Sequence, residues 1–208
     1  MSQTVLDKLP TRDRIVLAAG ELFWLQGYEA TSLAEILDKA EVNSGSLYYF
    51  FKSKEALLLA VLDWYLANLN REVLDPVFSR VTDPLERVFG ILDGYRIGLT
   101  MTACTGGCPI GNLSIEVGDH IPAAREKIAQ NFENWRLAVR QCLVEAGPRL
   151  PEDLDRDELA TFVLTVMEGA VMQARARGSL KPYDAAIQQL RNYVRQLEAQ
   201  AAATRPAG

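Results

Sequence analysis

The sequence predicts an all-α chain: an N-terminal three-helix unit built around a helix-turn-helix, then a larger helical domain, about nine helices together. Three observations carry this. Apolar residues recur at three- and four-residue spacing through most of the 208 residues, with no alternating β pattern and no repeat of 20–50 residues. Proline and glycine fall at the ends of these runs, as at Gly27, Pro84, Pro109, Pro122 and Gly147-Pro148. Thr31–Lys54, TSLAEILDKAEVNSGSLYYFFKSK, reads as two short helices joined by a tight turn.

The elements follow in order. Helix one runs from Thr11 to Gly27 and buries Ile15, Ala19, Leu22 and Phe23, with Gly27 suited to a C-terminal cap. Ser32 followed by Glu35 is a capping box, and Leu33, Ile36, Leu37 and Ala40 form the apolar face behind it. Asn43 caps a second short helix, Ser44 to about Phe51, with Leu47 and Phe51 turned into a small core. A long helix from about Ser53 to Val73 buries Leu57, Leu58, Val61, Leu62, Tyr65 and Leu69. Pro76 and Pro84 bracket a loop before a helix over Asp83–Met101. A break at Thr105-Gly106-Gly107 precedes a short helix that starts near Pro109, and Pro122 opens one that reaches Ala146. Helices over Asp153–Arg177 and Tyr183–Ala203 complete the count, with a frayed end at Thr204–Gly208. The domain boundary falls between residues 1–52 and 53–208.

The two-helix unit carries the chemistry of a groove reader, which makes double-stranded DNA the leading partner. Ser44, Gly45 and Ser46 keep the first turn of the second helix small, so that backbone can approach base edges. Gly45 weakens a helix by about 1 kcal/mol relative to alanine, so close approach outweighs local stability there. Three consecutive aromatics, Tyr48-Tyr49-Phe50, cannot all face inward on one helix. Tyrosine hydroxyls, serines and the Lys54 ammonium are ordinary donors to phosphate, so Thr31, Ser32, Asn43, Ser44, Gly45, Ser46, Tyr48, Tyr49 and Lys54 are the candidate DNA contacts. The net charge of −5 opposes nonspecific attraction to DNA. Val42–Lys54 nevertheless contains Lys52 and Lys54 and no acid, and screening over roughly 8 Å makes the local sign the one that counts.

Residues 11–58 resemble the DNA-binding domain of TetR-type (tetracycline-repressor-like) bacterial regulators. The resemblance lies in Ala18-Ala19, Leu22-Phe23 and Gly27-Tyr28, then Thr31-Ser32-Leu33 and Ile36, then Gly45, Leu47-Tyr48, Phe51, Lys54 and Leu57 in this order and spacing. It implies an all-helical homodimer with an N-terminal DNA reader and a C-terminal ligand-binding and dimerisation domain. One departure is Glu41, where the turn between the two helices usually carries glycine; a positive φ there costs glutamate about 1 kcal/mol.

Composition excludes other classes. No apolar run approaches the roughly 20 residues that span a membrane, and the N-terminus lacks a signal-peptide pattern, so a cytoplasmic protein is expected. Three cysteines at irregular spacing do not make a disulfide framework. With Cys104, Cys108 and a distant His120 there are too few ligands for zinc, and Gly106-Gly107 lacks the Lys and Ser/Thr of a phosphate loop. No metal, cofactor or catalytic residue is therefore predicted. The rival class, a helical carrier or enzyme with an apolar pocket, would explain the C-terminal domain but not the capped two-helix unit.

In the C-terminal domain, Ile187, Leu190, Val194 and Leu197 repeat as a narrow seam, and Phe162, Val163, Val166, Met167, Ala170, Val171 and Ala174 make a broad stripe. These last two long helices are the expected homodimer surface, with the stripes turned partly to the chain's own core, since two helices from each subunit can form a four-helix interface. Residues 104–118, CTGGCPIGNLSIEVG, resemble a segment of a TetR-type subgroup with a Gly-Cys-x-x-Gly-Asn-Leu core, here Gly107, Cys108, Gly111, Asn112 and Leu113. Some members of that subgroup respond to reactive electrophiles, so the resemblance implies a thiol sensor as one alternative. A thiol at a helix start is stabilised as thiolate by the free N–H groups, which marks Cys108, with Cys104 or Cys142 as partners for a reversible bond. Polar or soft residues interrupting apolar faces nominate Tyr95, Arg96, Met101, Asn112, Glu116, Phe132, Trp135, Met167 and Met172 as pocket lining. Arg96 would suit a carboxylate ligand and Glu116 a cation. The reading is a homodimeric regulator, a repressor released from a pseudo-palindromic operator by a small-molecule effector.

Overall fold

The computed structural model describes residues 9–69 and 73–204, with the backbone alone for Leu69. The predicted burial of Leu69, the passage of the long helix through residues 70–72 and the end at residues 205–208 lie outside the described residues. Ten α-helices are described: α1 Thr11–Gln26, α2 Leu33–Ala40, α3 Ser44–Phe50, α4 Lys54–Leu69, α5 Asp75–Phe78, α6 Pro84–Met101, α7 Pro109–Val117, α8 Pro122–Glu145, α9 Arg156–Arg177 and α10 Lys181–Thr204, with a 3-10 turn at Gly147–Arg149 between α8 and α9.

The expected order holds, with three local corrections. The segment read as a loop between Pro76 and Pro84 contains α5, whose proline occupies the first turn, where a missing N–H is tolerated. The penultimate helix begins at Arg156 instead of Asp153, because Asp155 accepts from the Asp157 and Glu158 amides and so fixes the start. Thr204, expected to fray, is helical, and its hydroxyl donates to the Gln200 carbonyl at 3.2 Å.

The chain forms two compact units. Among the described residues, one comprises those from 9 to 68 with Pro109–Asn131; the other comprises residue 69, residues 73–108 and residues 132–204. In the first, α1 packs on α2, α3 and α7 through the buried Ile15, Val16, Ala19 and Phe23, and Ile36, Ala40, Leu47 and Phe51 close the small core from the other side. The side-chain amide of buried Asn131 donates to the Leu62 and Lys127 carbonyls, so this polar group is satisfied.

In the second unit α9 and α10 pair along their lengths, and α6 packs against both. Val163, Met167, Ala170, Val171 and Ala174 of α9 and Leu190, Val194 and Leu197 of α10 are buried within the chain. Most of both predicted stripes thus belongs to the chain's own core. Tyr183 is 1% exposed, and its hydroxyl donates to the Leu92 carbonyl at 2.6 Å, tying α10 to α6. Arg149 bridges the α6 cap residue Asp83 at 2.6 Å and Glu198 at 2.7 Å.

Candidate functional site

The two-helix reader is built by its caps. Ser32 Oγ accepts from the Glu35 amide at 3.2 Å, and Glu35 Oε2 accepts from the Ser32 amide at 2.7 Å, so the predicted capping box forms. The Ser32 hydrogen bonds hold the Glu35 carboxyl below the usual range. Between the helices Glu41 adopts φ 53°, the left-handed conformation that makes glutamate a strained choice there. Asn43 Oδ1 then accepts from the Ser46 amide at 2.8 Å and the Ser46 hydroxyl at 3.1 Å. Gly45 has a local reason the sequence did not disclose: a Cβ there would lie 3.2 Å from that same cap oxygen.

The reader's outward face is aromatic. Leu47 and Phe51 are buried, while Tyr48, Tyr49 and Phe50 are 51%, 76% and 39% exposed. Ser44 and Gly45 are exposed on the first turn of α3, and Ser46 is half-buried. Lys52 Nζ donates to the Tyr48 carbonyl at 2.9 Å. Lys54 is half-buried; its Nζ lies 4.4 Å from the Tyr28 ring centroid and donates to the Glu29 carbonyl at 3.3 Å. Thr31, counted among the DNA contacts, is 1% exposed, and its hydroxyl donates to the Gly27 carbonyl at 2.6 Å. It fixes the chain entering α2 instead of lying on the open face.

The nominated effector residues separate into groups. Asn112 and Glu116 are engaged with the reader's unit: Asn112 Nδ2 donates to the Trp24 carbonyl at 3.3 Å, and Glu116 accepts from the Tyr28 and Glu29 amides. Arg96 lies on the surface, paired with Asp184 at 2.7 Å. Met101 and Met172 are 81% and 56% exposed. Phe132 is half-buried, and Met167 and Cys104 are buried.

Tyr95, Cys108 and Trp135 do come together, joined by a residue that sequence reading missed. Cys108, 2% exposed, hydrogen-bonds both the Tyr95 side chain and the Glu168 carboxyl. The Tyr95 and Trp135 rings are tilted at 54° with centroids 5.3 Å apart. Burial raises the Glu168 carboxyl, partly offset by the Cys108 hydrogen bond, and its Oε1 is buried with no hydrogen-bond partner. Burial, with Cys108 and Glu168 nearby, pushes Tyr95 well above its ordinary value. Glu168 falls between Met167 and Gly169 on the broad stripe of α9, so its interruption of an apolar face was the available signal.

The segment before this cluster is strained. α6 ends with the Cys104 amide bonded to the Leu99 carbonyl at 2.7 Å, around Ala103 at φ 46° and Cys104 at φ 63°. Two consecutive non-glycine residues in the left-handed region cost roughly 1–2 kcal/mol each. The sequence pointed to Gly106-Gly107 as the break; the turn is made earlier.

An open groove of about 530 Å³ lies elsewhere, lined by Arg136, Asp157, Glu158, Thr161, Phe162 and Thr165. None of the nominated effector residues lines it, and its ion pairs, Arg136 and Arg140 with Asp157, suit a solvated surface. In its lining Phe162, 46% exposed, stands T-shaped against Tyr193 of α10, with centroids 5.9 Å apart. Among the described residues no helix is long and apolar enough to cross a membrane.

The chain is similar to known proteins over most of its length. Residues 15–61 match the model for bacterial regulatory proteins of the tetR family, and residues 84–190 match that for the tetracyclin repressor-like C-terminal domain. The HTH-type transcriptional repressor DhaR of Mycobacterium sp. (strain GP1) is 28% identical over 179 residues, 85% of this chain and 88% of its own. The reduced form of Escherichia coli NemR superposes with a TM-score of 0.76 at 25% identity, covering 88% of this chain and 96% of that one. CifR, a TetR family regulator solved as a cysteine mutant with a 26 bp double-strand operator DNA, gives a TM-score of 0.73 at 28% identity, covering 86% and 95%.

Proposed function

Because the chain belongs to the tetR family of bacterial regulatory proteins, a DNA-binding transcriptional regulator and not an enzyme, we propose that it is a homodimeric repressor released from its operator when a small electrophile adds to Cys108. The observation that carries the effector half is the buried hydrogen-bonded chain Tyr95–Cys108–Glu168. A thiol beside a carboxyl raised by burial has a proton acceptor at hand. In addition to an α,β-unsaturated carbonyl, the Cys108 sulfur forms a bond to the β-carbon and the C=C pair moves toward the carbonyl. The thiol proton passes to Glu168 and from there to the α-carbon. A reagent reaches a thiol this buried only by local opening, and the strain of the neighbouring Ala103-Cys104 turn lowers the cost of opening there. That NemR was solved in a reduced form and CifR as a cysteine mutant agrees with cysteine chemistry in such regulators.

At the other end, Ser44, Gly45, Ser46, Tyr48 and Tyr49 meet DNA, Lys54 and Ser32 flank them, and Thr31 and Asn43 hold the backbone that presents them. Two readers per dimer address half-sites about one DNA turn apart or more. To move an operator-bound population from 99:1 to 1:99, the modified state must be favoured by about 5.5 kcal/mol. A noncovalent ligand stacked on the Tyr95–Trp135 pair is the second reading, favoured by the low exposure of Cys108.

The test is operator release by 2-cyclohexen-1-one. Release is expected to vanish in Cys108→Ser and to persist in Cys104→Ser and Cys142→Ser. Persistence in Cys108→Ser discards the covalent reading. For the reader, Tyr49→Phe and Lys54→Ala together should weaken binding to DNA from upstream of the protein's own coding sequence; undiminished binding removes these contacts.

A further inference from the structure

The backbone joining α1 to α2 has two of its amides taken up by a side chain distant in sequence. α1 ends at Gln26, and Gly27, at φ 95°, turns the chain so that the next two amides converge on one carboxylate. Glu116 Oε2 accepts from the Tyr28 amide at 2.8 Å and Oε1 from the Glu29 amide at 2.7 Å. A Cβ on residue 27 would lie 3.1 Å from both oxygens, so the carboxylate occupies the space a side chain would need. One turn earlier on α7, Asn112 takes the Trp24 carbonyl, one of those a helix end leaves without an internal partner. The carbonyls of the corner are held from within the reader, Gly27 by the Thr31 hydroxyl and Glu29 by the Lys54 ammonium.

We propose that Glu116 is a positioning residue for DNA reading: its forked carboxylate sets the Gly27–Glu29 backbone and thereby the attitude in which α2 and α3 present Tyr48 and Tyr49. The inference rests on the DNA-reading role of the domain and is independent of the chemistry at Cys108. Charge-assisted hydrogen bonds are roughly twice as strong as neutral ones, and two of them from one planar group fix orientation as well as distance. Without the carboxylate, two amides of a partly buried corner lose their acceptor, and the corner relaxes to satisfy them. The sign of the effect is diagnostic. Were Glu116 merely one more negative charge on a domain that meets phosphate, neutralising it would tighten DNA binding. As a positioning group, its removal weakens binding.

The experiment uses the full-length protein and an operator duplex selected from a random pool by the wild-type protein, followed by fluorescence anisotropy over a salt series. Glu116→Ala should weaken operator binding roughly tenfold, about 1.4 kcal/mol. The salt slope should stay unchanged, because the number of phosphate contacts is the same. Glu116→Gln keeps one acceptor and should lose less; Gly27→Ala, which drives a methyl group against the carboxylate, should resemble Glu116→Ala. Hydrogen exchange separates positioning from folding: the Tyr28 and Glu29 amides should exchange faster while the Ile36 and Leu47 amides stay protected. Equal or tighter binding by Glu116→Ala would overturn the proposal, as would loss of protection throughout α2 and α3. Failure of the wild-type protein to select any duplex would instead count against DNA reading itself.

Discussion

Asn43 performs three tasks with one oxygen: it caps α3, accepts the Ser46 hydroxyl and occupies the space beside Gly45. Removing it in Asn43→Ala should destabilise the reader by about 1 kcal/mol, the ordinary cost of a lost N-cap. Gly45→Ala pits two effects of similar size against each other, since alanine gains about 1 kcal/mol of helix propensity and crowds the cap. The two substitutions should therefore be non-additive. Gly45→Ala should be near neutral alone and stabilising by about 1 kcal/mol in the Asn43→Ala background. Amide exchange of α2 and α3 in the four proteins of this cycle measures it, and strict additivity would show that the cap oxygen does not dictate glycine here. Burial, reinforced by Glu145, pushes the Cys142 thiol up to about 11. The unfolded thiol titrates near pH 8.5, so stability is unaffected below that and should fall as pH rises from there toward 11. Cys142→Ala should remove the part of that decline in melting temperature that sets in between about pH 8.5 and 10, before the raised Tyr95 adds its own.

Three helices end with a left-handed residue and an amide reaching back five positions: Val42 to Leu37, Cys104 to Leu99 and Ser179 to Ala174. Of the left-handed residues at these ends, Gly178 suits the geometry, whereas Glu41 and Ala103 do not. Glu41→Gly should raise the reader's stability by up to about 1 kcal/mol by relieving left-handed strain. Thermal unfolding checks it, and a lower melting temperature would mean that contacts of the Glu41 side chain outweigh the strain. These ends also show what sequence can and cannot disclose. The capping box at Ser32, the Asn43 cap and the outward tyrosines were legible because each is a local pattern at fixed spacing. The Ala103 turn was not, since nothing about alanine announces φ > 0, and the glycines that begin three residues on drew the prediction away. Glu168 and the Glu116 clamp were missed or misassigned for another reason. Their partners lie 60 and 88 residues away in sequence, and only tertiary packing brings them together.

For the whole molecule, a net charge of −5 leaves DNA binding little help from long-range attraction, so the proposed dimer gains its specific affinity from two readers acting together. That makes the dimer face decisive. The buried stripes of α9 and α10 are mostly spent on the chain's own core, and Phe162, Thr165 and Met172 on α9 and Tyr193 on α10 are among the residues that stay exposed on that pair. Phe162 touches Tyr193 yet keeps nearly half its surface open, so replacing it should disturb assembly more than folding. Phe162→Glu places a charge where an apolar contact would bury it, and an unpaired buried charge costs several kcal/mol on each side of a two-fold interface. Sedimentation should then find monomers with unchanged helical circular dichroism. Operator affinity should fall by about two orders of magnitude, the usual scale of linkage between two sites. A dimer that survives this change assembles through another face. Monomers that still bind the full operator tightly would instead place the affinity within a single reader.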